Sequence, residues 1–292
     1  MPEHMPVMVA ECMEYLGVRP GGVYLELTAG LGGHTRAVAE RLTAGGMIVA
    51  CDRDAESLEL ARANTREYAD RIRFYRTTFS LVGETLAAEV PQLDKGADGL
   101  LADLGVSRYQ LTDAARGFSL MADGPLSMKM DSGQTRSAAD IVNFESEKDL
   151  ADLIYKFGDE RRSRKIAGAI VRARPIHTTG QLAKLIERAV PRTSKLHPAT
   201  QTFMALRIAV NDEMEELDAL LGEIPRLVKP GGRAVILTFM SLEDRKVKQS
   251  FQAMARSGKA CILTRHVIRP SAEEIRSNPA ARSAMLRAVE LI

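Results

Sequence analysis

The sequence predicts an α/β fold, a parallel sheet with helices on its faces, interrupted by an all-helical insert. Three observations lead there. Short apolar runs alternate with helix-like runs over the first hundred residues, the pattern of successive strand–helix–strand units. The first apolar run passes into a glycine-rich stretch, Glu26-Leu27-Thr28-Ala29-Gly30-Leu31-Gly32-Gly33-His34. The alternation stops near residue 114 and returns near residue 206.

Taken in order, strands are expected at 23–27, 47–51, 72–75 and 98–102, with helices near 35–43, 55–65 and 80–89. Residues 114–205 carry no strand pattern. They open on a loop-forming stretch rich in Gly, Pro, Met and Asp, and helical runs follow near 137–143, 146–156, 159–173 and 179–189. Ser146 and Asp149 form a capping signal for the second of these. A long amphipathic helix is expected over 206–228. Pro230-Gly231-Gly232 ends it before the apolar run 234–239, and a helix at 243–256 and a late strand at 261–268 complete the chain. The expected domains are therefore 1–113 with 206–292, a discontinuous sheet domain, and 114–205, a helical insert.

Composition narrows the function classes. The chain has 292 residues, 45% hydrophobic residues and a net charge of +2, ordinary for one or two globular domains. No apolar run has the length of a membrane span. The first residues lack the basic start of a signal peptide. Cys12, Cys51 and Cys261 stand far apart with no C-x-x-C pair, so no zinc site and no disulfide framework are expected, and a reducing cytoplasm fits. Cys51 reads as a small buried hydrophobe. Charge is uneven: residues 161–192 hold nine basic residues and one acid, Glu187. Such a run is either a solvated helix face or the footprint of a polyanion.

The glycine stretch reads as a strand-to-helix turn, where the backbone approaches a ligand that a Cβ would push away. Gly30 and Gly32 match two glycines of a dinucleotide fingerprint, but Thr35 stands at the third position. An acid at the end of the first strand, Glu26, suits a ligand with an ammonium group, as S-adenosylmethionine has. Asp52 ends the second apolar run, where a carboxylate accepts hydrogen bonds from ribose hydroxyls. The fourth run ends at Asp103, with Gln110 beyond. Ligands of open α/β sheets lie at these carboxyl ends. An acceptor beside an exocyclic amine orients its lone pair and takes its proton after methyl transfer. Asp103 is the candidate for that role, with cofactor binding or turn capping as its alternatives.

Several motifs then resemble one family, in order along nearly the whole chain. They include His4-Met5-Pro6-Val7-Met8, Gly32-Gly33-His34, Asp103-Leu104-Gly105-Val106-Ser107 with Gln110-Leu111, and Arg116-Gly117-Phe118-Ser119. Phe157-Gly158-Asp159-Glu160-Arg161, His197-Pro198-Ala199-Thr200, Ala205 through Asn211 and Ser241-Leu242-Glu243-Asp244-Arg245 continue the series. The chain resembles the RsmH/MraW family, which methylates N4 of a cytidine in small-subunit ribosomal RNA. The resemblance implies a class I S-adenosylmethionine-dependent methyltransferase (Rossmann-like) sheet with an inserted all-helical, RNA-recognising domain. It implies contacts to the cofactor from Gly32, Gly33, His34, Asp52, Phe79, Asp103 and Gln110, with Phe79 beside the adenine. The chain departs from the family pattern at Met240, where a histidine is usual, and at Ser127, Lys129, Gln201, Met204, Ala280 and Met285.

The leading expectation is a cytidine-N4 methyltransferase of small-subunit ribosomal RNA or the ribosomal subunit. Arg161, Arg164, Lys165, His197 and Arg245 are the expected RNA contacts. A methyltransferase of another nucleic acid or a small molecule, and a diverged RNA-binding relative without turnover, are the rivals. Assembly is open, a homodimer included.

Overall fold

The computed structural model describes residues 5–192 and 196–292; His4 lies outside them. The chain divides into two compact units, Met1–Gly105 with Glu215–Ile292, and Val106–Met214.

The first unit is built on seven strands: β1 (Val23–Glu26), β2 (Met47–Asp52), β3 (Ile72–Arg76), β4 (Ala97–Asp103), β5 (Val228–Thr238), β6 (Ala260–Ile262) and β7 (Met285–Leu291). Their order is β3-β2-β1-β4-β5-β7-β6. The first five run parallel, and β7 runs antiparallel between β5 and β6. This is the expected class I methyltransferase sheet. The near-continuous apolar strands follow from burial on both faces. On one face Leu25, Val49, Cys51 and Leu100 pack with Leu86, Leu217 and Phe251. On the other, Tyr24, Ile48, Ala50 and Leu101 pack with Cys12, Leu16 and Val38. Neighbouring strand residues alternate between the two cores because successive side chains point to opposite faces. Around the sheet's first half lie α1 (Val9–Leu16), α2 (Gly33–Ala39), α3 (Ala55–Asn64) and α4 (Val82–Glu89).

The second unit is helical, with α5 (Arg108–Thr112), α6 (Ala138–Phe144), α7 (Glu147–Gly158), α8 (Ser163–Ala173), α9 (Thr179–Ala189) and α10 (Thr200–Val210). Leu150, Ile154, Ile166, Ile170, Leu182 and Leu206 share its core. The Ser146 hydroxyl accepts the Asp149 N–H at 3.1 Å, capping α7. Buried Arg116 donates to the carbonyls of Lys129 and Met130. Buried Asn211 accepts the Met130 N–H and donates to the Met128 carbonyl. These two side chains supply partners to a loop that has no ladder of its own, which buried backbone groups require.

Three expectations change. The helix expected over 206–228 is two helices, α10 and α11 (Glu213–Leu227), broken at Asn211-Asp212, where Asp212 has a φ of +49°. An apolar period that continues through a two-residue break hides it, and Asn and Asp tolerate the left-handed backbone. The unit boundaries accordingly fall at 106 and 214, not at 114 and 205. The strand expected at 261–268 stops at Ile262, and β7 was not foreseen, because its Arg287 and Glu290 obscure the apolar pattern. Arg287 is neutralised by a bidentate pair with Asp244, at 2.6 and 2.9 Å. Asp244 lies on α12 (Ser241–Arg256), and α13 (Ala272–Ser277) precedes β7.

Candidate active site

The carboxyl ends of β1, β2 and β4 meet around the glycine turn. Leu27 N–H continues β1 by donating to the Leu101 carbonyl at 3.0 Å, and Ala29 N–H donates to that of Cys51 at 2.9 Å. Gly30 and Gly32 then take φ values of +50° and +85°, a region that costs other residues strain. A Cβ on Gly30 would meet nothing closer than the Thr28 carbonyl at 3.8 Å, so this glycine presents bare backbone on an open side. A Cβ on Gly32 would stand 2.9 Å from Thr65, and one on Gly33 2.8 Å from Pro6. Those two glycines are required by packing within the protein.

Side chains lock the turn. Asp52 accepts the Gly30 N–H through Oδ2 at 2.8 Å and the Asp54 N–H through Oδ1 at 2.9 Å. Thr28 Oγ1 accepts the Asp103 N–H at 2.6 Å, joining the turn to the end of β4. Thr35 donates its hydroxyl to Glu26 Oε2. His34 is buried, and its Nε2 donates to the Val7 carbonyl at 2.9 Å. Its Nδ1 lies 3.9 Å from Asp103 Oδ2.

The electrostatics are one-sided. None of Glu26, Asp52 and Asp103 is ion-paired with a Lys or Arg among the described residues. Burial pushes the Asp103 carboxyl up to about 7, with nearby Glu243 adding to it. Burial likewise raises Asp52 to about 6, against the hydrogen bonds from Asp54 and Gly30, which lower it. It raises Glu26 well above the usual carboxylate range. Two acceptor atoms, Glu26 Oε1 and Asp103 Oδ1, are buried without a hydrogen-bond partner. Buried carboxylate oxygens left unpaired are costly. N–H donors of a bound cation would satisfy such acceptors. The ammonium of S-adenosylmethionine supplies N–H donors and its sulfonium adds positive charge, so the acidic residues present fit that group.

The other expected cofactor residues are placed as follows. Phe79 follows β3, half-buried against the core that contains Leu25 and Val49. Gln110 belongs to the helical unit, where its Oε1 accepts the Ser107 N–H at 3.0 Å and caps α5. Of the expected RNA contacts, Arg161, Arg164 and Lys165 are exposed at the start of α8, and Arg245 is exposed on α12. His197 spends its Nδ1 on the Ala199 N–H at 3.1 Å. Arg162, in the same basic run, pairs with Glu160 and donates to the Pro191 carbonyl, so it is structural. Among the described residues no cluster of His, Cys, Asp or Glu has the arrangement of a metal site, and no helix is long and apolar enough to cross a membrane.

Sequence reasoning missed Glu243. It is buried at the first turn of α12, and its Oε2 accepts the N–H groups of Phe239 and Met240 at 2.9 and 3.3 Å. Its position three residues after Met240 is the spacing of a helix-capping acid, and that signal was available. Met240, half-buried, precedes α12.

Residues 1–292 match the MraW methylase family from end to end. The chain belongs to that family. Ribosomal RNA small subunit methyltransferase H of Solibacter usitatus is 57% identical over 288 residues, covering 99% of each chain. The protein of the same name from Acidobacterium capsulatum is 46% identical over 297 residues, covering 98% of each. A solved SAM-dependent methyltransferase from Aquifex aeolicus overlays with a TM-score of 0.45 at 9% identity, over 98% of this chain and 90% of that one. As a MraW methylase, the chain is an S-adenosylmethionine-dependent methyltransferase.

Proposed function

We propose that this MraW-family methylase transfers a methyl group from S-adenosylmethionine to the N4 amine of a cytidine in small-subunit ribosomal RNA. The observation that carries the site is the pair of unsatisfied buried acceptors, Glu26 Oε1 and Asp103 Oδ1, at the ends of β1 and β4, neither residue ion-paired with a Lys or Arg among the described residues. The name carried by the Solibacter usitatus and Acidobacterium capsulatum relatives supports the substrate class.

When bound, the cofactor supplies an electrophilic methyl group. The chain's own residues supply the positioning. Glu26 sits deepest and receives the ammonium. Asp52 holds the glycine turn and keeps lone pairs free for a ribose hydroxyl. Asp103 stands at the end of β4, where it orients the target amine and accepts its proton. A carboxyl near 7 is matched to proton transfer at neutral pH. The cytosine must be unpaired or flipped to reach the site, because a stacked amine is inaccessible. Arg161, Arg164 and Lys165, with no carboxylate partner among the described residues, bind RNA phosphates, with Arg245 and His197 as further contacts. A ribosomal substrate supports a cytoplasmic location. A homodimer is the assembly to test, by light scattering.

Mass spectrometry of ribosomal RNA nucleosides from cells with and without the gene tests this directly. Loss of one N4-methylated cytidine is expected. An unchanged nucleoside profile would overturn the substrate.

A further inference from the structure

A second groove lies on the sheet unit, away from the glycine turn. It has a volume of about 250 Å³ and lies between α12 and the segment following β6. Lys248 and Gln252 border it from α12, and Ile262, Thr264 and Arg265 from the other side, over a floor that includes Phe251. No acidic residue lines it. Lys248 and Arg265 are exposed, and neither makes an ion pair among the described residues. Arg287 also lines it but is already neutralised by Asp244. The free charge of the groove is therefore two cations beside an apolar patch and an amide.

Strand register places this groove below the carboxyl edge of the sheet: Ile262 is level with Val289 of β7, Val289 with Ala234 of β5 and Ala234 with Leu100 of β4, three residues before Asp103. Asp103 is level with Leu237 of β5, Leu237 with Leu286 of β7, and Leu286 with Ile268 beyond β6. Leu263 N–H donates to the Ala288 carbonyl at 3.0 Å, one turn of the same ladder away. The segment carrying Thr264 and Arg265 thus runs toward the edge that bears Asp103. Three strand spacings across, about 14 Å, and three residues along, about 10 Å, put Ile262 about 17 Å from the end of β4, so a strand whose target base is at Asp103 reaches the groove with a flanking nucleotide rather than the adjoining one.

We propose that this groove binds one nucleotide of the RNA flanking the target cytidine. Lys248 and Arg265 take the phosphate, Ile262 underlies the base, and the Gln252 amide faces the base edge. This rests on the reading that the substrate is RNA. Charge complementarity selects RNA as the occupant: two unpaired cations around an apolar floor match a phosphate beside a base.

The test uses the full-length protein, unmethylated small ribosomal subunits and labelled S-adenosylmethionine. Lys248→Ala with Arg265→Ala should raise KM for subunits severalfold and leave kcat and cofactor affinity unchanged. The salt dependence of RNA binding should flatten by about 1.4 in log–log slope, two contacts at about 0.7 each. A photo-crosslinker on Ile262→Cys, in a Cys261→Ser background, should join the protein to ribosomal RNA; Cys12 and Cys51 are buried and stay unlabelled. With the wild type active, an unchanged KM, or a crosslink to ribosomal protein alone, overturns the groove. An inactive wild type overturns the substrate reading and the groove with it.

Discussion

Asp52 Oδ2 accepts the Gly30 N–H at 2.8 Å, so the carboxylate that ends the second strand holds the glycine turn that follows the first. One side chain therefore serves two tasks, shaping the turn and offering acceptors to a ligand. Removing it should disturb both.

Asp52→Ala should lose about 1.5–3 kcal/mol of S-adenosylmethionine affinity, the range for hydrogen bonds to a charged group. Asp52→Asn keeps one acceptor oxygen and should lose less. Isothermal calorimetry reads both. Equal affinity in wild type and Asp52→Ala would remove this carboxylate from the site.

The raised carboxyls set a pH dependence. Asp103 near 7 and Asp52 near 6 are partly protonated in the free protein below neutrality. A bound cation favours their ionised forms, so binding expels protons. Cofactor affinity should therefore rise with pH between about 5.5 and 7.5 and level off above. The unliganded protein should show the opposite trend in these groups' contribution to stability. Their folded values lie above the unfolded ones, so the folded state holds more protons, and stability falls as pH climbs from about 4 to 7. Calorimetry in buffers of different ionisation enthalpy measures the proton release. Zero release at pH 6.5 would contradict the assignment.

Asp103→Asn should lower methyl transfer by at least about 10²-fold, the scale of a positioned acid–base group. Calorimetry of cofactor binding, to which Asp103 also contributes, separates lost affinity from lost turnover. Met240→His changes a residue half-buried at the start of α12, and it should preserve or raise turnover. Robust activity in Asp103→Asn would sink the proton-accepting role and leave the methylase assignment standing.

The basic run on the helical unit gives a salt test. Arg161, Arg164 and Lys165 replaced by Ala should flatten the salt dependence of RNA binding by about 2 in log–log slope, at about 0.7 per contact. Arg162 is excluded because it holds Glu160 and the Pro191 carbonyl. An unchanged slope would mean a solvated face.

Gly32→Ala tests the turn itself. At a φ of +85°, with Thr65 2.9 Å from the new Cβ, the variant should lose about 1–3 kcal/mol of stability. Thermal unfolding would show it, and a wild-type midpoint would refute the packing role.

The sequence by itself determined the repeat of strands and helices, the site of the glycine turn, and the acids that end β1, β2 and β4. Each of these is written locally, in side-chain period, backbone freedom and charge. Glu26, Asp52 and Asp103 are each the last residue of their strand, where a local pattern ends. Only the tertiary structure decided what is made by distant segments. The break at Asn211-Asp212 follows from Asn211 bonding a loop some eighty residues earlier. β7 is a strand because it pairs with β5 and β6, and its Arg287 is neutralised there by Asp244, 43 residues away. The depth of Glu26 and the unpaired oxygens of Glu26 and Asp103 depend on burial, which no single segment carries. Local propensity reads along the chain, whereas desolvation and pairing arise between segments that the fold alone brings together.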